Sequence, residues 1–124
     1  MIAADTSIVI AFLTEAPSPL TDRLAKAMED EVLVLPPPVV AELRAGPGRD
    51  TAVDLILKKA PLLPLYDGFW ERAGLTRRLL IDKGRKARML DTLIAQCCLD
   101  ADLPLIARDT DFSAFVEYCG LRLA

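Results

Sequence analysis

Residues 1–13 read MIAADTSIVIAFL and place a carboxylate, Asp5, inside an apolar run that a folded domain is expected to bury. Residues 2–4 have the composition of a short buried strand, and the apolar spacing that follows predicts a helix capped by Thr6 or Ser7. Asp5 therefore falls at the carboxyl end of a predicted strand. Because sites in α/β sheets form outside the carboxyl ends of the strands, we expect Asp5 to belong to a site.

The rest of the chain alternates between helix-like and strand-like periodicity. Further strands are predicted at residues 31–36, 62–66, 103–108 and 120–124, and helices at 7–13, 20–28, 37–45, 50–60, 68–83, 89–101 and 111–119. Strands separated by helices predict an α/β fold with helices on both faces of a mainly parallel sheet of four to five strands, a three-layer α/β/α sandwich. The 124 residues contain no repeat or linker, so we expect one domain over residues 1–124.

Composition excludes several classes of protein. Hydrophobic residues make up 52% of the chain, which is typical of a globular domain, and no apolar run approaches the ~20 residues of a membrane span. The apolar start has no basic segment ahead of it, so we expect a cytoplasmic protein without a signal peptide and without a membrane partner. Cys97, Cys98 and Cys119 lack the spacing of a zinc site, and we expect packed, reduced thiols.

Histidine is absent from the sequence. This excludes Ser-His-Asp and Cys-His catalysis, a histidine general base and a His-ligated zinc ion. Catalysis at neutral pH must then use carboxylates, lysines, hydroxyls or a metal ion held by oxygen ligands.

Acidic residues follow strand ends or lie at helix starts at several places in the predicted fold. These acids are Asp5, Glu42, Asp91, Asp109 and Asp111. Taken singly, each has an ordinary explanation as a helix cap, a turn residue or half of an ion pair. Taken together, carboxylates that converge in apolar surroundings repel one another unless a cation lies among them. A site of oxygen ligands for Mg²⁺ or Mn²⁺ is the explanation that accounts for all of them.

The charge is unevenly distributed. The net charge is −3, but residues 72–88 carry seven basic residues and one acid, which is +6, and leave −9 for the remainder. Such a segment is expected either to bind a polyanion or to be a solvated helix face and turn.

Four motifs in the sequence resemble those of the PIN domain, and in particular of the VapC-type toxin ribonucleases. Ala4-Asp5-Thr6-Ser7 resembles the family's strand followed by D-[TS]-S, and PPPVVAEL at 36–43 resembles P-x-x-V-x-E-L with Glu42 as its acid. GRKARMLDTLIAQ at 84–96 is similar to the D-x-[LI]-I-A motif with Asp91. ARDTDF at 107–112 is similar to [TS]-x-[DN]-x-x-F, with Ala107 in place of the usual hydroxyl residue.

This resemblance implies a Mg²⁺-dependent endoribonuclease, a hydrolase of phosphodiester bonds, with Mn²⁺ as the alternative ion. It implies that Asp5, Glu42, Asp91 and Asp109 are the catalytic and metal-binding acids, with Asp111 as the alternative to Asp109. We expect Thr6 and Ser7 to support the metal site. The basic residues expected to bind RNA phosphates are Arg85, Lys86, Arg88 and Arg108.

The resemblance also implies partners: an RNA substrate (tRNA, rRNA or mRNA), a second copy in a homodimer, and an antitoxin of the VapB type. We expect the apolar helices at 8–13 and 39–43 to form the groove for the antitoxin.

Two other classes of function stay open. The first is a PIN-domain nuclease in RNA processing or repair that works without an antitoxin. The second is a non-catalytic binding module or a phosphoacceptor domain that uses Asp5. The phosphoacceptor is disfavoured, because Ala3 and Ala4 precede Asp5 and because the later strand ends in Arg108 where a lysine is needed.

Overall fold

The N-terminal segment forms the central strand of a short parallel sheet. The structure is a computed structural model that describes the backbone of the whole chain and every side chain except that of Asp109. Strand β1 (Ile2–Ala4) lies between β2 (Leu33–Val34) and β3 (Leu105–Ile106), and both pairings are parallel. The carboxyl ends of all three strands therefore meet at one edge of the sheet.

Single-residue bridges extend the sheet on both sides. Leu62 pairs with Leu35 beyond β2, and Leu123 pairs with Leu105 beyond β3, both in parallel. The prediction of an α/β fold with a parallel sheet is confirmed. The strands are shorter than predicted, and the expected strands at 62–66 and 120–124 are reduced to these bridges.

Proline explains part of the shortening. Leu35 N donates to Pro61 O and Leu63 N donates to Leu35 O, both at 2.9 Å. In this parallel register the next donor would be the nitrogen of residue 37, and Pro37 has no N–H with which to continue the ladder.

Seven helices surround the sheet. They are α1 (Thr6–Thr14), α2 (Pro19–Glu29), α3 (Pro37–Ala45), α4 (Asp50–Lys59), α5 (Phe69–Asp82), α6 (Met89–Ala101) and α7 (Asp109–Cys119). Helix α1 packs against α2 and α3, whereas α6 packs against α3, α5 and α7. The predicted bounds of α3 and α6 are confirmed. No helix in the described part of the chain is both long and apolar enough to cross a membrane.

The start of α1 differs from the prediction. Its N-cap is Asp5, not Thr6 or Ser7, and the Asp5 carboxylate accepts a hydrogen bond from Ile8 N at 3.0 Å. A carboxylate at this position satisfies one of the free N–H groups of the first turn and lies at the positive end of the helix dipole. The cap of α1 and the end of β1 are thus the same residue.

The core lies between the sheet and the inner faces of the helices. Ala3 and Ala4 are fully buried, and the large side chains around them include Phe112 and Phe115. Cys97 and Cys98 are free, buried thiols, and burial raises the pKa of each to about 12. Unreactive thiols of this kind contribute packing to the core.

Candidate metal and nucleic-acid site

Asp5 is held in one orientation at the carboxyl end of β1. The residue is only 5% exposed. Its Oδ1 accepts from Ile8 N, and Ser7 Oγ donates to Oδ1 at 3.0 Å and to Oδ2 at 3.1 Å. Its backbone N–H donates to Ile106 O of β3 at 3.1 Å. The position of this carboxylate is therefore fixed from both the sheet and the helix.

A second acid is attached to the same end of α1. The buried hydroxyl of Thr6 donates to Glu42 Oε1 on α3 at 2.6 Å. Glu42 is half-buried, and the apolar side chains of Val39 and Leu43 on its helix are in the core. Adjacent residues of α1 thus orient two different carboxylates, since Ser7 bonds to Asp5 while Thr6 bonds to Glu42.

A third acid, Asp91, comes from the first turn of α6. Its side chain is 19% exposed, and Arg88 Nε donates to its Oδ2 at 3.1 Å. Arg88 is the N-cap residue of α6, and its own side chain is 78% exposed. The arginine therefore covers the acid from the solvent side.

A cleft of about 330 Å³ opens beside Asp91. The residues that line it are Lys86, Ala87, Arg88, Asp91, Thr110, Asp111 and Phe115. The exposed carboxylate of Asp111 enters this cleft from α7, opposite the basic segment that precedes α6.

The electrostatics show that these acids share one region. Burial raises the pKa of Asp5, the hydrogen bonds from Ile8 N and Ser7 oppose this rise, and repulsion from Asp111 and Asp91 adds to it. Burial likewise raises the pKa of Asp91. Arg88 opposes the rise, while repulsion from Asp111 and Glu42 adds to it. Each carboxylate is therefore within electrostatic range of others, as a cation site requires.

The donor set suits a hard divalent cation, because all of these ligands are carboxylate oxygens. Even so, among residues 1–108 and 110–124 no three acidic or cysteine side chains are arranged to hold an ion as they stand. Thr6 hydrogen-bonds to one oxygen of Glu42, and Arg88 hydrogen-bonds to one of Asp91. The Asp109 carboxylate, which we expected to be the fourth acid, lies outside the described side chains.

The predicted basic residues do not all lie at the acids. Lys86 and Arg88 line the cleft. Arg85 instead pairs with Glu117 and donates to Ser113 Oγ at 3.2 Å, both on α7. Arg108 lies 3.7 Å from Glu15, beyond the end of α1.

Three residues of the cleft were not predicted from the sequence: Ala87, Thr110 and Phe115. Phe115 follows Asp111 by four residues on α7, a spacing that places both on one helix face, so the helical period could have indicated it. Helices α2 and α4, which the sequence did not indicate, line an apolar groove together with α1. A groove of about 440 Å³ runs along α1, α2 and α4, where we expected α1 and α3, and its lining residues are Phe12, Leu13, Ala25, Met28, Glu29, Ala52, Leu55, Ile56 and Lys59.

Comparison with known proteins identifies the family. The PIN domain profile matches residues 2–117, nearly the whole chain. The chain therefore belongs to the PIN domain family. A comparison of its sequence with curated proteins gave no match.

Solved structures share the fold at low sequence identity. VapBC2 from Rickettsia felis, bound to a DNA fragment from its promoter, is similar with a TM-score of 0.79 and 19% identity, over 100% of this chain and 98% of that one. VapBC-1 from nontypeable Haemophilus influenzae is similar with a TM-score of 0.76 and 20% sequence identity, over 100% of this chain and 97% of that one. VapBC-5 from Mycobacterium tuberculosis is a member of the VapBC family of toxin–antitoxin systems. It is similar with a TM-score of 0.70 and 21% sequence identity, over 98% of this chain and 95% of that one.

Proposed function

We propose that this PIN domain is a metal-dependent endoribonuclease of the VapC toxin type, neutralised by a VapB-like antitoxin. The observation that carries the proposal is the meeting of carboxylates from four elements beside a cleft that also holds Lys86 and Arg88. These acids are Asp5 after β1, Glu42 of α3, Asp91 of α6 and Asp111 of α7.

Asp5, Glu42 and Asp91 would hold Mg²⁺, with Mn²⁺ as the alternative, together with Asp109 or Asp111. The cleft supports Asp111 for this role, because it faces Asp91 there and repels both Asp5 and Asp91. A bound ion would lower the pKa of a water ligand and offset charge on the phosphate at which the strand is cut. The chain has no histidine that could share these tasks.

The protein's own groups have distinct tasks in this proposal. Ser7 and Ile8 N hold Asp5, and Thr6 holds Glu42, so these acids are oriented before substrate arrives. Lys86 and Arg88 line the cleft and would bind the phosphates on either side of the scissile bond. Arg88 must leave Asp91 for this, and its high exposure gives it room to do so.

The test is cleavage of a mixed RNA pool by the purified protein with Mg²⁺. Asp5→Asn keeps the shape of the cap and removes one charge, so we expect at least a ~100-fold loss of cleavage, and EDTA should abolish it. The matched control is Asp22→Asn, an exposed acid in the first turn of α2, which should cleave like the wild type. Equal cleavage by Asp5→Asn and the wild type would overturn the proposal.

The antitoxin part rests on a separate surface. The groove along α1, α2 and α4 is apolar, and Leu55, which is 57% exposed, lies in it beside Phe12 and Met28. An amphipathic helix of a partner fits a groove of this kind. The similar VapBC structures contain toxin and antitoxin together, which supports such a partner here.

Co-expression with the product of a small reading frame beside the gene tests this part. Leu55→Glu keeps helix propensity and places a charge in the groove, so the partner should no longer co-purify, while RNA cleavage by the isolated variant is retained. Co-purification that survives the substitution would argue against this groove. Unrestrained cleavage with every neighbouring gene product would instead favour a PIN nuclease of RNA processing or repair.

We also propose a cytoplasmic homodimer. The dimer is supported by the apolar exposed surface of α5, where Trp70 is 64%, Leu75 55% and Leu79 41% exposed. Light scattering of the isolated chain measures this, and a monomer at every concentration would contradict it.

A further inference from the structure

The turn between α5 and α6 concentrates positive charge. Residues 83–88, KGRKAR, contain four basic residues and no acid. Gly84 has φ of +73°, and its N–H and that of Arg85 close the end of α5 by donating to Ile81 O and Leu80 O. This helix ending reverses the chain at Gly84, so that Lys83 and Arg85 on its two sides reach the same neighbour.

That neighbour is the aromatic ring of Tyr118 on α7. Lys83 Nζ and the guanidinium carbon of Arg85 each lie 5.8 Å from the ring centroid. This is the outer limit of a cation–π contact, so neither cation covers the ring at van der Waals distance. Tyr118 is 38% exposed, so part of the residue is accessible to a ligand.

Arg85 is fixed beside the ring by two residues of α7. It pairs with Glu117, which offsets part of its charge, and its second terminal nitrogen donates to Ser113 Oγ at 3.2 Å. Lys83 has no such tether among the contacts of the described side chains, and its long chain is exposed. An anionic ligand bound at the ring would therefore contact two cations, Arg85 in a fixed position and Lys83 on a side chain that is free to move.

The ring and the acid cleft are bordered by the same two segments, α7 and residues 83–88. Phe115 lines the cleft and lies one helical turn before Tyr118 on α7. On the facing segment, Lys86 and Arg88 line the same cleft, three residues after Lys83 and Arg85 respectively. Basic side chains thus extend along residues 83–88 from Tyr118 toward Asp91, while Phe115 is buried beneath the cleft.

We propose that the ring of Tyr118 stacks on an unpaired base of a bound RNA strand. The phosphates of this strand lie along the basic residues of segment 83–88, and the strand continues from there to the carboxylates. Aromatic stacking with phosphate neutralisation is how proteins bind single-stranded nucleic acids. A duplex keeps its base faces stacked, so this platform selects a single-stranded region, such as a loop or an end. The inference rests on the proposed ribonuclease function and names the form of substrate that it takes.

The test measures binding of a labelled ten-nucleotide single-stranded RNA, and of a duplex of the same sequence, in EDTA so that no cleavage intervenes. Tyr118→Ala should weaken single-strand binding about tenfold and leave duplex binding unchanged. Tyr118→Phe keeps the ring and should stay within about twofold of the wild type. The matched control is Tyr66→Ala, an exposed tyrosine before α5 that should bind like the wild type.

The outcomes separate the inference from the function on which it rests. If the wild type cleaves RNA with Mg²⁺ while Tyr118→Ala binds the single strand normally, the platform is wrong and the ribonuclease proposal stands. If Tyr118→Phe loses as much binding as Tyr118→Ala, the hydroxyl and not the ring is responsible, and stacking is again wrong. If the wild type neither binds nor cleaves RNA, both proposals fall.

Discussion

The carboxylate of Asp5 is almost fully buried, and Asp111 and Asp91 repel it electrostatically. Its pKa is raised above the usual 3.8 by burial first and by this repulsion second. The folded state therefore holds its proton more tightly than the unfolded state does. The stabilisation from that proton is complete below the unfolded-state pKa and is lost as the pH rises through the folded-state pKa.

Asp5→Asn should therefore unfold at a higher temperature than the wild type at pH 7. Asparagine still caps α1, and the variant lacks the buried charge. The difference should shrink as the pH is lowered toward 4, since the wild-type carboxyl then becomes neutral as well. Thermal unfolding from pH 4 to 8 without divalent cations measures this, and a difference that grows on acidification would contradict the assignment.

Thr6 offers a prediction about positioning. Thr6→Val keeps the shape of the side chain but removes the donor to Glu42, so we expect a loss of about 1.5 kcal/mol in the free energy of unfolding, together with weaker RNA cleavage. Thr6→Ser keeps the donor and should restore cleavage. Urea denaturation gives the first quantity.

Thr14→Val is the control for this experiment. Its hydroxyl is exposed and donates to Ile10 O on the same helix, so its loss should cost less than about 0.5 kcal/mol. Equal losses of unfolding free energy at the two positions would show that the Thr6–Glu42 hydrogen bond stabilises the protein no more than an exposed one.

At the level of single residues, the sequence indicated which acids lie at strand ends and helix starts, but not what holds them. Asp5 was expected at the end of β1, and it lies there, yet the cap was assigned to its neighbours. The role of each acid stays a prediction. Hydrogen bonds between distant residues, such as Thr6 to Glu42, follow from packing in three dimensions and leave no local pattern.

At the scale of secondary-structure elements, two glycines can be compared by substitution: Gly74 inside α5 and Gly84 just after its end. Gly84 has φ of +73°, and a Cβ placed on it meets no atom within 4 Å, so Gly84→Ala carries only the backbone cost of about 1 kcal/mol. Gly74 lies inside α5 with the same free space, and Gly74→Ala should stabilise the protein by about 0.5–1 kcal/mol.

Chemical denaturation of both variants checks this pair, because steric clash is absent at either site. Changes of the same sign would contradict the assignment of Gly84 to a left-handed helix ending.

Helices were easier to predict than strands in this chain. Pro37, Gly46 and the apolar period define α3, and all three signals are local. A buried strand shows only an apolar run, and its ladder length depends on partners elsewhere in the chain, as at Leu35 and Leu62. The part that α2 and α4 play in the apolar groove was not predicted for the same reason, because which helices lie beside α1 is a property of the packing.

For the whole molecule, the concentration of negative charge at one edge of the sheet predicts stabilisation by cations. Mg²⁺ or Mn²⁺ at about 100 times its dissociation constant should stabilise the wild type by about 2.7 kcal/mol, because an ion held by the folded acids has no matching site in the unfolded chain. EDTA should reverse the shift.

Asp5→Asn should show little of this stabilisation, and Asp22→Asn should show all of it. Calorimetry with and without the ion provides the measurement. A shift of equal size in all three proteins would mean that the ions screen surface charge in general and do not bind at the acids.

The order in which the sheet is assembled has a consequence for synthesis of the protein. Asp5 is synthesised long before its backbone partner Ile106, and Asp111 is made later still. The central strand has only one neighbour in a growing chain, because β3 is still missing. Whatever chemistry the acids perform is therefore withheld until residue 106 has been made, and a chain that stops before it never acquires that chemistry.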